Sequence, residues 1–568
     1  MRKLAPCATV FVLVALLGCG SCESEEETPS IEPAAPATPA VAPEGLLWEL
    51  SVGGGSAMLG ATRDLLPTAE LRALLPARPG ALVERVAPSL PVADAVSADA
   101  TVWVVAVRTD LARGQLALAV PVEVPEGQAS LGDLPLIPGA PHGARWVGSA
   151  PTADATAAVV SGGVLVVTSS PRMLETVLPY MTRTLIPSST VTGFRLRVPP
   201  GVAAGPVRQQ AERLLSESLA EWSASAERER AEHVEPPELG DPEGLIEHLR
   251  GRLGRWIAYL PDLQEVTAWL RPEPGGFAVT VDASIAADSP LDTLLRAYPA
   301  RPIFGLDALP AGTAVASSFT RGPDDPGGLD TVDAIMAVGG SRIGERARGD
   351  LRRGADALDD ARGEGTLVAL GTDALGPWAL WATRGGGSLD AEALRRALGA
   401  EYVRDVAAAL LGCPRAIAPA AFSPPQASGA SSRRVSTLCT PSGGPPVRLA
   451  VSTSTEVAVV SVSRTEEGVD GFVSARLAGA AAGPALVDHP DVQRGLSWIG
   501  RDRSLIGVIL LVPSRVPEAT GLLQQSPGGS PAPLLLGMSA RPSGARVEAL
   551  LPGPPLTDLL AILAPFLE

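Results

Sequence analysis

The sequence predicts an α+β protein of two similar lobes, each a mainly antiparallel sheet with helices packed on one face. Its 568 residues are enough for more than one domain with a packed core. Short apolar runs bounded by glycine and proline, such as Val-Leu-Val-Val-Thr at 164–168, are typical of buried strands. The order of strands, turns and helices in the first half recurs in the second half, which indicates an internal repeat.

The N-terminus has the features of a secretory signal. Arg2 and Lys3 form a charged start, residues 10–17 are apolar, and Leu-Leu-Gly-Cys follows at 16–19. The 15 residues from 4 to 18 are too few for a spanning helix, which needs about 20. We therefore predict that residues 1–18 are a signal peptide.

The tetrapeptide at 16–19 resembles the lipobox of bacterial lipoprotein precursors. This resemblance implies a diacylglyceryl group on the Cys19 sulfur, cleavage after Gly18, and acylation of the new amino group with a fatty acid such as palmitate. Two or three acyl chains on one cysteine anchor a protein stably. Gly20 follows, where an aspartate would indicate inner-membrane retention, so the resemblance implies the outer membrane of a Gram-negative bacterium. The alternative is an ordinary signal peptide with a chance cysteine.

Residues 19–44 are predicted to be a tether between the lipid and the body. An acidic run at 23–27 precedes a Pro/Ala tract at 29–43. Such a composition buries little apolar area and favours extended polyproline II. The body is anionic and has no electrostatic reason to lie flat on an anionic membrane, so we expect the tether, and not the surface of the body, to provide the attachment.

The first lobe is predicted at 45–305, with a helical insertion at about 205–258 that has no counterpart in the second half. Proline at 171 and at 290 opens a helix, because its fixed φ suits the first helical position. The turn at 271–276 contains the proline and glycine that a hairpin needs. The predicted strands are 101–108, 115–122, 164–168, 193–198, 266–270 and 277–283.

The second lobe is predicted at 306–568 from the same order of elements. The stretch from Gly193 to Pro199 is matched with that from Gly507 to Pro513, six residues apart in both copies. A helical segment is expected at 329–360, and the run at 556–567 is a core helix rather than a membrane segment. The predicted strands are 313–319, 366–370, 378–383, 457–461, 507–512 and 534–540.

Cysteine usage agrees with export. Cys413 and Cys439 bracket a Pro/Ser/Ala-rich stretch, and we predict a disulfide between them in the oxidising envelope. Closing that loop contributes about 3–4 kcal/mol on the chain-entropy model. The alternative is a pair of buried thiols, and Cys22 is left over in the tether.

Composition and motifs argue against several function classes. The net charge of −16 disfavours nucleic-acid binding, which needs a basic face. Lys3 is the single lysine, and no Gly-x-Ser-x-Gly nucleophile elbow occurs. The stretch from Gly55 to Gly60 has P-loop spacing, but Ala61 stands where lysine must reach the phosphates. We therefore predict no catalytic residue, no cofactor and no nucleic-acid partner.

Two chemical alternatives remain, paired carboxylates for glycoside hydrolysis, whose spacing in space the sequence does not show, and a metal site. His233 with Glu235 and Glu238, and His248 with Glu247, lie on the charged insertion and offer imidazole and carboxylate ligands. A solvated acidic helix face explains the same residues, and we favour that interpretation. The prediction is that no residue binds a metal.

Two functions stay open at this point. The first is a non-catalytic binding or scaffolding lipoprotein of the envelope, with a protein partner of unknown identity. The second is a carrier of an apolar ligand such as lipid, a hypothesis suggested by the apolar strands and the mean hydropathy of +0.20. The body also resembles large uncharacterised extracytoplasmic bacterial proteins, a likeness of pattern that transfers no functional residue.

Overall fold

The structure is a computed structural model of the whole chain. It describes residues 38–65, 72, 75–108, 114–124, 128–152, 155–188, 191–232, 242–273, 276–321, 333, 336–337, 343–385, 388–400, 403, 420–428, 431–441, 444–465, 467–480, 483–510 and 533–552.

The chain is mixed α+β with antiparallel strand pairing, which confirms the predicted class. It divides into two compact units. Among the described residues, unit 1 contains those within 1–206, 263–284 and 547–568, and unit 2 contains those within 207–262 and 285–546. This division differs from the predicted boundary at 305/306, since the helical insertion belongs to unit 2.

Unit 1 is a sheet whose strand order is β10-β9-β1-β2-β3-β8-β7-β6-β5, with every neighbouring pair antiparallel. Its strands are β1 (Leu46–Gly53), β2 (Val102–Arg108), β3 (Gly114–Pro121), β4 (Ser130–Leu131), β5 (Leu134–Pro138), β6 (Arg145–Val147), β7 (Ala157–Ser161), β8 (Val164–Thr168), β9 (Gly193–Val198), β10 (Leu263–Glu273) and β11 (Gly276–Ile285). Its helices are α1 (Gly55–Leu65), α2 (Pro79–Val86) and α3 (Pro171–Tyr180), the last continued by a π-helical turn, Met181–Leu185.

Helices cover both faces of this sheet, so the predicted packing on one face is wrong. On one face, Leu174 and Val177 of α3 join a buried cluster with Val105. On the other face, Leu59 of α1 joins a cluster with Val102. The physical reason is that β2, β3 and β8 are apolar at successive positions, and successive side chains point to opposite faces. Both faces must therefore be buried.

Unit 2 has the strand order β22-β21-β13-β14-β15-β19-β18-β17-β16, again fully antiparallel. Its strands are β12 (Arg301–Pro302), β13 (Thr313–Thr320), β14 (Gly365–Asp373), β15 (Gly376–Arg384), β16 (Gln426–Ser428), β17 (Ser431–Cys439), β18 (Val447–Thr453), β19 (Val457–Ser463), β20 (Asp502–Arg503), β21 (Leu505–Leu510), β22 (Pro533–Arg541) and β23 (Gly544–Pro552), the last of which passes into unit 1 at Val547. Its helices are α4 (Arg208–Glu232), α5 (Pro242–Ala258), α6 (Pro290–Arg296), α7 (Glu345–Asp360), α8 (Ala391–Leu398), α9 (Gly468–Leu477) and α10 (Pro490–Ile499).

Several local predictions are confirmed. Pro290 begins α6, where the Ser289 hydroxyl caps the helix by accepting from the Asp292 amide. The insertion is helical as α4 and α5, and α7 covers the second part of the predicted segment at 329–360. The predicted helix at 556–567 lies outside the described residues.

Strand order recurs between the units, and so does one irregularity. The β1–β2 pair has a β-bulge between Leu46 and Trp48, and the β13–β14 pair has one between Thr313 and Val315. Glu49 and Ala316 are the residues that directly follow these two bulges. Each of them is paired with a line of residues that runs across its sheet, and we call this line the central row. Residues at the same place in the two central rows are treated as equivalent. In unit 1 the central row consists of Thr267, Arg197, Glu49, Val105, Ala117, Thr168 and Ala157. In unit 2 it consists of Leu535, Val508, Ala316, Ala369, Leu380, Ser461 and Ala450.

This register corrects one part of the predicted repeat. Gly193 pairs with Gly53, whereas Gly507 pairs with Ser317, three positions away from the equivalent place. The expected match of these two glycines is therefore wrong. A side chain at Gly193, which has φ +95°, would approach the Leu270 carbonyl oxygen to 2.8 Å, a demand that Gly507 does not face.

Candidate functional site

The structure places only part of the predicted chemistry. Cys19 and Cys413 lie outside the described residues, so the acylation and the disulfide stay predictions. Cys439 is the last residue of β17 and is buried.

The histidines that the structure describes occupy separate places. His248 lies on α5, and its buried Nε2 has no hydrogen-bond partner among the described residues. His142 contacts the Glu175 carbonyl through Nε2 at 2.9 Å, and His489 caps α10 by accepting from the Asp491 amide. His233 lies outside the described residues. Within the described part of the chain, no group of three or more metal-ligating side chains occurs.

A charged network that the sequence analysis did not identify lies on the α3-covered face of unit 1. Glu49 is 4% exposed, and it accepts hydrogen bonds from the Tyr180 hydroxyl and from Arg197 Nη1, the latter at 3.1 Å. Arg197 Nη2 donates to Glu265 at 2.9 Å. The Thr267 hydroxyl donates to the other oxygen of Glu265. The network therefore runs from the core at Glu49 to the partly exposed carboxylate of Glu265.

Each titratable group with a shifted pKa in this network is held in its ordinary charge state. Burial and the hydrogen bond to Glu49 raise the pKa of Tyr180, so the phenol stays protonated. The hydrogen bond to Glu265 raises the pKa of Arg197. The same bond lowers the pKa of Glu265, so the carboxylate stays ionised. Tyr180, Arg197 and Glu265 therefore keep these charge states near neutral pH.

Comparison with unit 2 shows that the fold itself does not require this network. The equivalents of Glu49, Arg197 and Thr267 in the central row are Ala316, Val508 and Leu535, all buried. An apolar row therefore satisfies the same strand order.

Unit 2 has a buried ionic network of its own, which includes Ser461 of the central row. The Asp470 carboxylate of α9 is fully buried and pairs with Arg433 Nε at 2.7 Å. The hydroxyls of Ser452 and Ser461 donate to it at 2.8 and 3.0 Å. This network attaches α9 to β17, β18 and β19, and we interpret it as structural because every carboxylate oxygen has a partner.

The strongest candidate for a binding surface lies on the unit 2 sheet, on the face opposite to the one that carries the central row and the Asp470 network. Val315, Val368, Leu370 and Leu536 are 38, 40, 50 and 37% exposed, and we call these four residues the apolar patch. Val315 pairs directly with Leu370 across β13 and β14. Such large exposed apolar groups on one sheet face, rather than single scattered residues, indicate a binding surface.

The residue sizes across the patch predict a shallow groove. Leu536, Gly507, Ser317 and Val368 are paired in one line across β22, β21, β13 and β14. The small residues lie in the middle and the large ones at the two sides. Four neighbouring strands span about 14 Å, which is enough for one helix of about 10 Å diameter.

The equivalent place in unit 1 is covered. Ala106 and Ala268, which correspond to Leu370 and Leu536, are 3% and 6% exposed. Helix α1 packs against β10, and its Leu59 contacts the cluster to which Val104, the equivalent of Val368, belongs. Unit 1 thus buries small residues at these two places, with α1 packed against β10, whereas unit 2 exposes larger ones.

One pocket in unit 2 bears on the carrier alternative. It measures about 240 Å³ and adjoins the turn between β18 and β19, where Thr453, Ser454 and Thr455 line it. Typical ligand pockets are larger and mostly apolar. This pocket therefore does not favour an apolar ligand.

Comparisons with known proteins provide no family assignment, so a function has to be argued from the residues of this chain. No protein-family model, curated protein or solved structure matches the chain. Among the helices that the structure describes, none combines the length and apolar character needed to cross a membrane.

Proposed function

We propose that the protein is an envelope lipoprotein, anchored through acylated Cys19 to the outer membrane, that binds another protein without catalysing a reaction. We further propose that its body consists of two similar lobes that arose by duplication, which the shared strand order and bulge support. The observation that carries the binding role is the apolar patch. Leu370 is 50% exposed, whereas its equivalent Ala106 is 3% exposed.

The energetics favour a partner on this surface. Complete burial of a Val or Leu side chain stabilises by about 1.5–3 kcal/mol, so covering the exposed fractions of four such residues contributes about 3 kcal/mol. In unit 1, α1 packs against β10 within the same chain. In unit 2 this contribution becomes available to a partner.

We infer that the partner presents an apolar helix or an equivalent rounded apolar ridge. The groove between Leu536 and Val368 has a floor of Gly507 and Ser317, which leaves room for a helix that lies across β21 and β13. Helix α1 of unit 1 is the internal precedent for this mode of packing.

In-envelope photo-crosslinking tests the proposal. A photoreactive amino acid replaces Leu370 in one variant and Leu536 in a second, and a third carries it at Leu116, an equally apolar residue of unit 1 that is 39% exposed. We expect the same protein to be crosslinked from 370 and 536 but not from 116. Equal labelling from all three positions, or none from 370 and 536, would show that the patch is not a binding surface.

The anchor has a separate test. Palmitate with a chemical tag should be incorporated into the wild-type chain and not into a Cys19→Ser variant. Incorporation that survives this substitution would refute the proposed site of acylation.

A further inference from the structure

An apolar stripe on α5 changes from buried to exposed along the helix. Ile246 is 7% exposed, whereas Leu253 and Trp256, on the same side of the helix, are 42% and 55% exposed. Tyr259 lies one turn beyond, with its ring edge-on to that of Trp256 and 5.9 Å between the centroids. The last part of α5 therefore presents aromatic and aliphatic side chains to solvent.

The same segment is basic. Arg250, Arg252 and Arg255 are exposed, and residues 248–261 contain no aspartate or glutamate, but Arg250 Nη1 pairs with Glu247 of the preceding turn at 2.5 Å. This stretch carries a formal charge of +3 in a chain whose net charge is −16. At 100° per residue, Arg250 and Arg252 flank the stripe that contains Leu253 and Trp256 on its two sides.

The neighbouring helix partly neutralises its own acidic groups. Helix α4 packs against α5. Its Glu212 pairs with Arg208 at 2.8 Å, and its Glu217 pairs with Arg213 at 3.6 Å. Trp222 of α4 is 46% exposed and adds a second exposed indole to the hairpin.

We propose that the C-terminal part of α5, with Leu253 and Trp256 between exposed arginines, binds the surface of an anionic phospholipid bilayer. Arginines flanking an apolar stripe complement anionic headgroups, and Trp and Tyr favour the boundary between headgroups and acyl chains. The 25 residues at 20–44 span about 80 Å when extended, so the tether permits this contact. This surface is distinct from the apolar patch. It would add a contact between the body and the membrane, to which the tether alone attaches the protein.

The test uses the mature chain from Gly20 onwards, which lacks the acylated cysteine. Co-flotation is measured with vesicles of phosphatidylcholine and with vesicles of phosphatidylcholine and phosphatidylglycerol at 70:30. We expect binding to the anionic vesicles only. Each arginine near such a surface contributes about fivefold, and Arg250 and Arg252 flank the stripe, so the triple change Arg250→Gln, Arg252→Gln, Arg255→Gln should weaken binding at least about 25-fold.

A matched control separates a local site from total charge. Arg346, Arg352 and Arg353 are exposed on α7, and their replacement by glutamine changes the net charge by the same amount. We expect this variant to bind as the wild type does. Circular dichroism checks that both variants fold.

A second readout follows the indole. Brominated phosphatidylglycerol should quench the tryptophan fluorescence of the wild type, and Trp256→Phe should remove most of that quenching. An equal loss from both arginine triples, equal binding to neutral vesicles, or quenching unaffected by Trp256→Phe would overturn the proposal. If the wild type does not bind vesicles, and the triple arginine variant of α5 loses the protein crosslink formed from positions 370 and 536, this surface binds a protein instead.

Discussion

Replacement of Arg197 by methionine tests the charged network of unit 1 most sharply. The substitution leaves the Glu49 carboxyl 4% exposed, with the Tyr180 hydroxyl as its remaining hydrogen-bond donor from the network. Removal of one partner from a buried ion pair costs about 3–5 kcal/mol, because the remaining charge is uncompensated. Glu265 loses the same partner, but its side chain is 34% exposed and is rehydrated.

A triple variant, Glu49→Met, Arg197→Met and Tyr180→Phe, should recover most of that loss. It removes the buried charge and the phenol together and keeps similar side-chain volumes, a replacement that is often neutral or stabilising. The apolar central row of unit 2, with Ala316 and Val508 in the equivalent places, supports this expectation. We expect the triple variant to lie within about 1 kcal/mol of the wild type.

Local opening energies are the suitable assay, because a protein with two units need not unfold in one step. Hydrogen exchange of peptides from β1 and β9 reports on unit 1, while peptides from β13 and β21 serve as the internal control. An Arg197→Met variant within 1 kcal/mol of the wild type, or a triple variant as unstable as the single one, would refute the reasoning.

Three further predictions concern other parts of the molecule. Because folding raises the pKa of Tyr180, its contribution to the free energy of unfolding is complete below pH 10 and declines as the pH rises further. In urea titrations, Tyr180→Phe should therefore lose less stability at alkaline pH than the wild type does. An identical loss in both proteins would contradict the assignment. Asp470→Asn should lower the unfolding free energy of unit 2 by about 3 kcal/mol, since it weakens the buried pair with Arg433, and exchange of β17–β19 peptides measures it. Alkylation without reductant should leave Cys413 and Cys439 unlabelled in mass spectrometry, whereas two labelled thiols would exclude the disulfide.

Strand positions were accessible from the sequence because they rest on local patterns. Glycine and proline limit the apolar runs at 164–168 and 193–198, and the predicted bounds match β8 and β9. The sequence also indicated that the order of elements in the first half recurs in the second. It did not indicate the register of the strands, because side-chain identity at Gly193 and Gly507 does not report which residue pairs across the sheet.

The covering of each sheet depends on long-range contacts. Successive apolar residues in β2 and β3 indicated buried strands, and the consequence that both faces need helices could have been drawn from the same pattern. The charged network had a signal as well. Glu49 stands inside an otherwise apolar strand, and Arg195 and Arg197 alternate in β9.

The apolar patch could not be predicted, because exposure is a property of what lies above a strand. Val368 and its equivalent Val104 are the same residue type in equivalent strands. Val104 packs against a buried cluster that contains Leu59 of α1, whereas Val368 is 40% exposed. Sequence patterns identify sheet residues but not their cover.

A binding titration tests the central claim most directly. The protein crosslinked from positions 370 and 536 is purified, and its Kd is measured against the wild type, Leu370→Asp and the control Leu116→Asp. Placing a charge in a desolvated apolar contact leaves it unpaired, so we predict that Leu370→Asp raises the Kd at least 100-fold while Leu116→Asp leaves it unchanged. An unchanged Kd for a correctly folded Leu370→Asp variant would contradict the account.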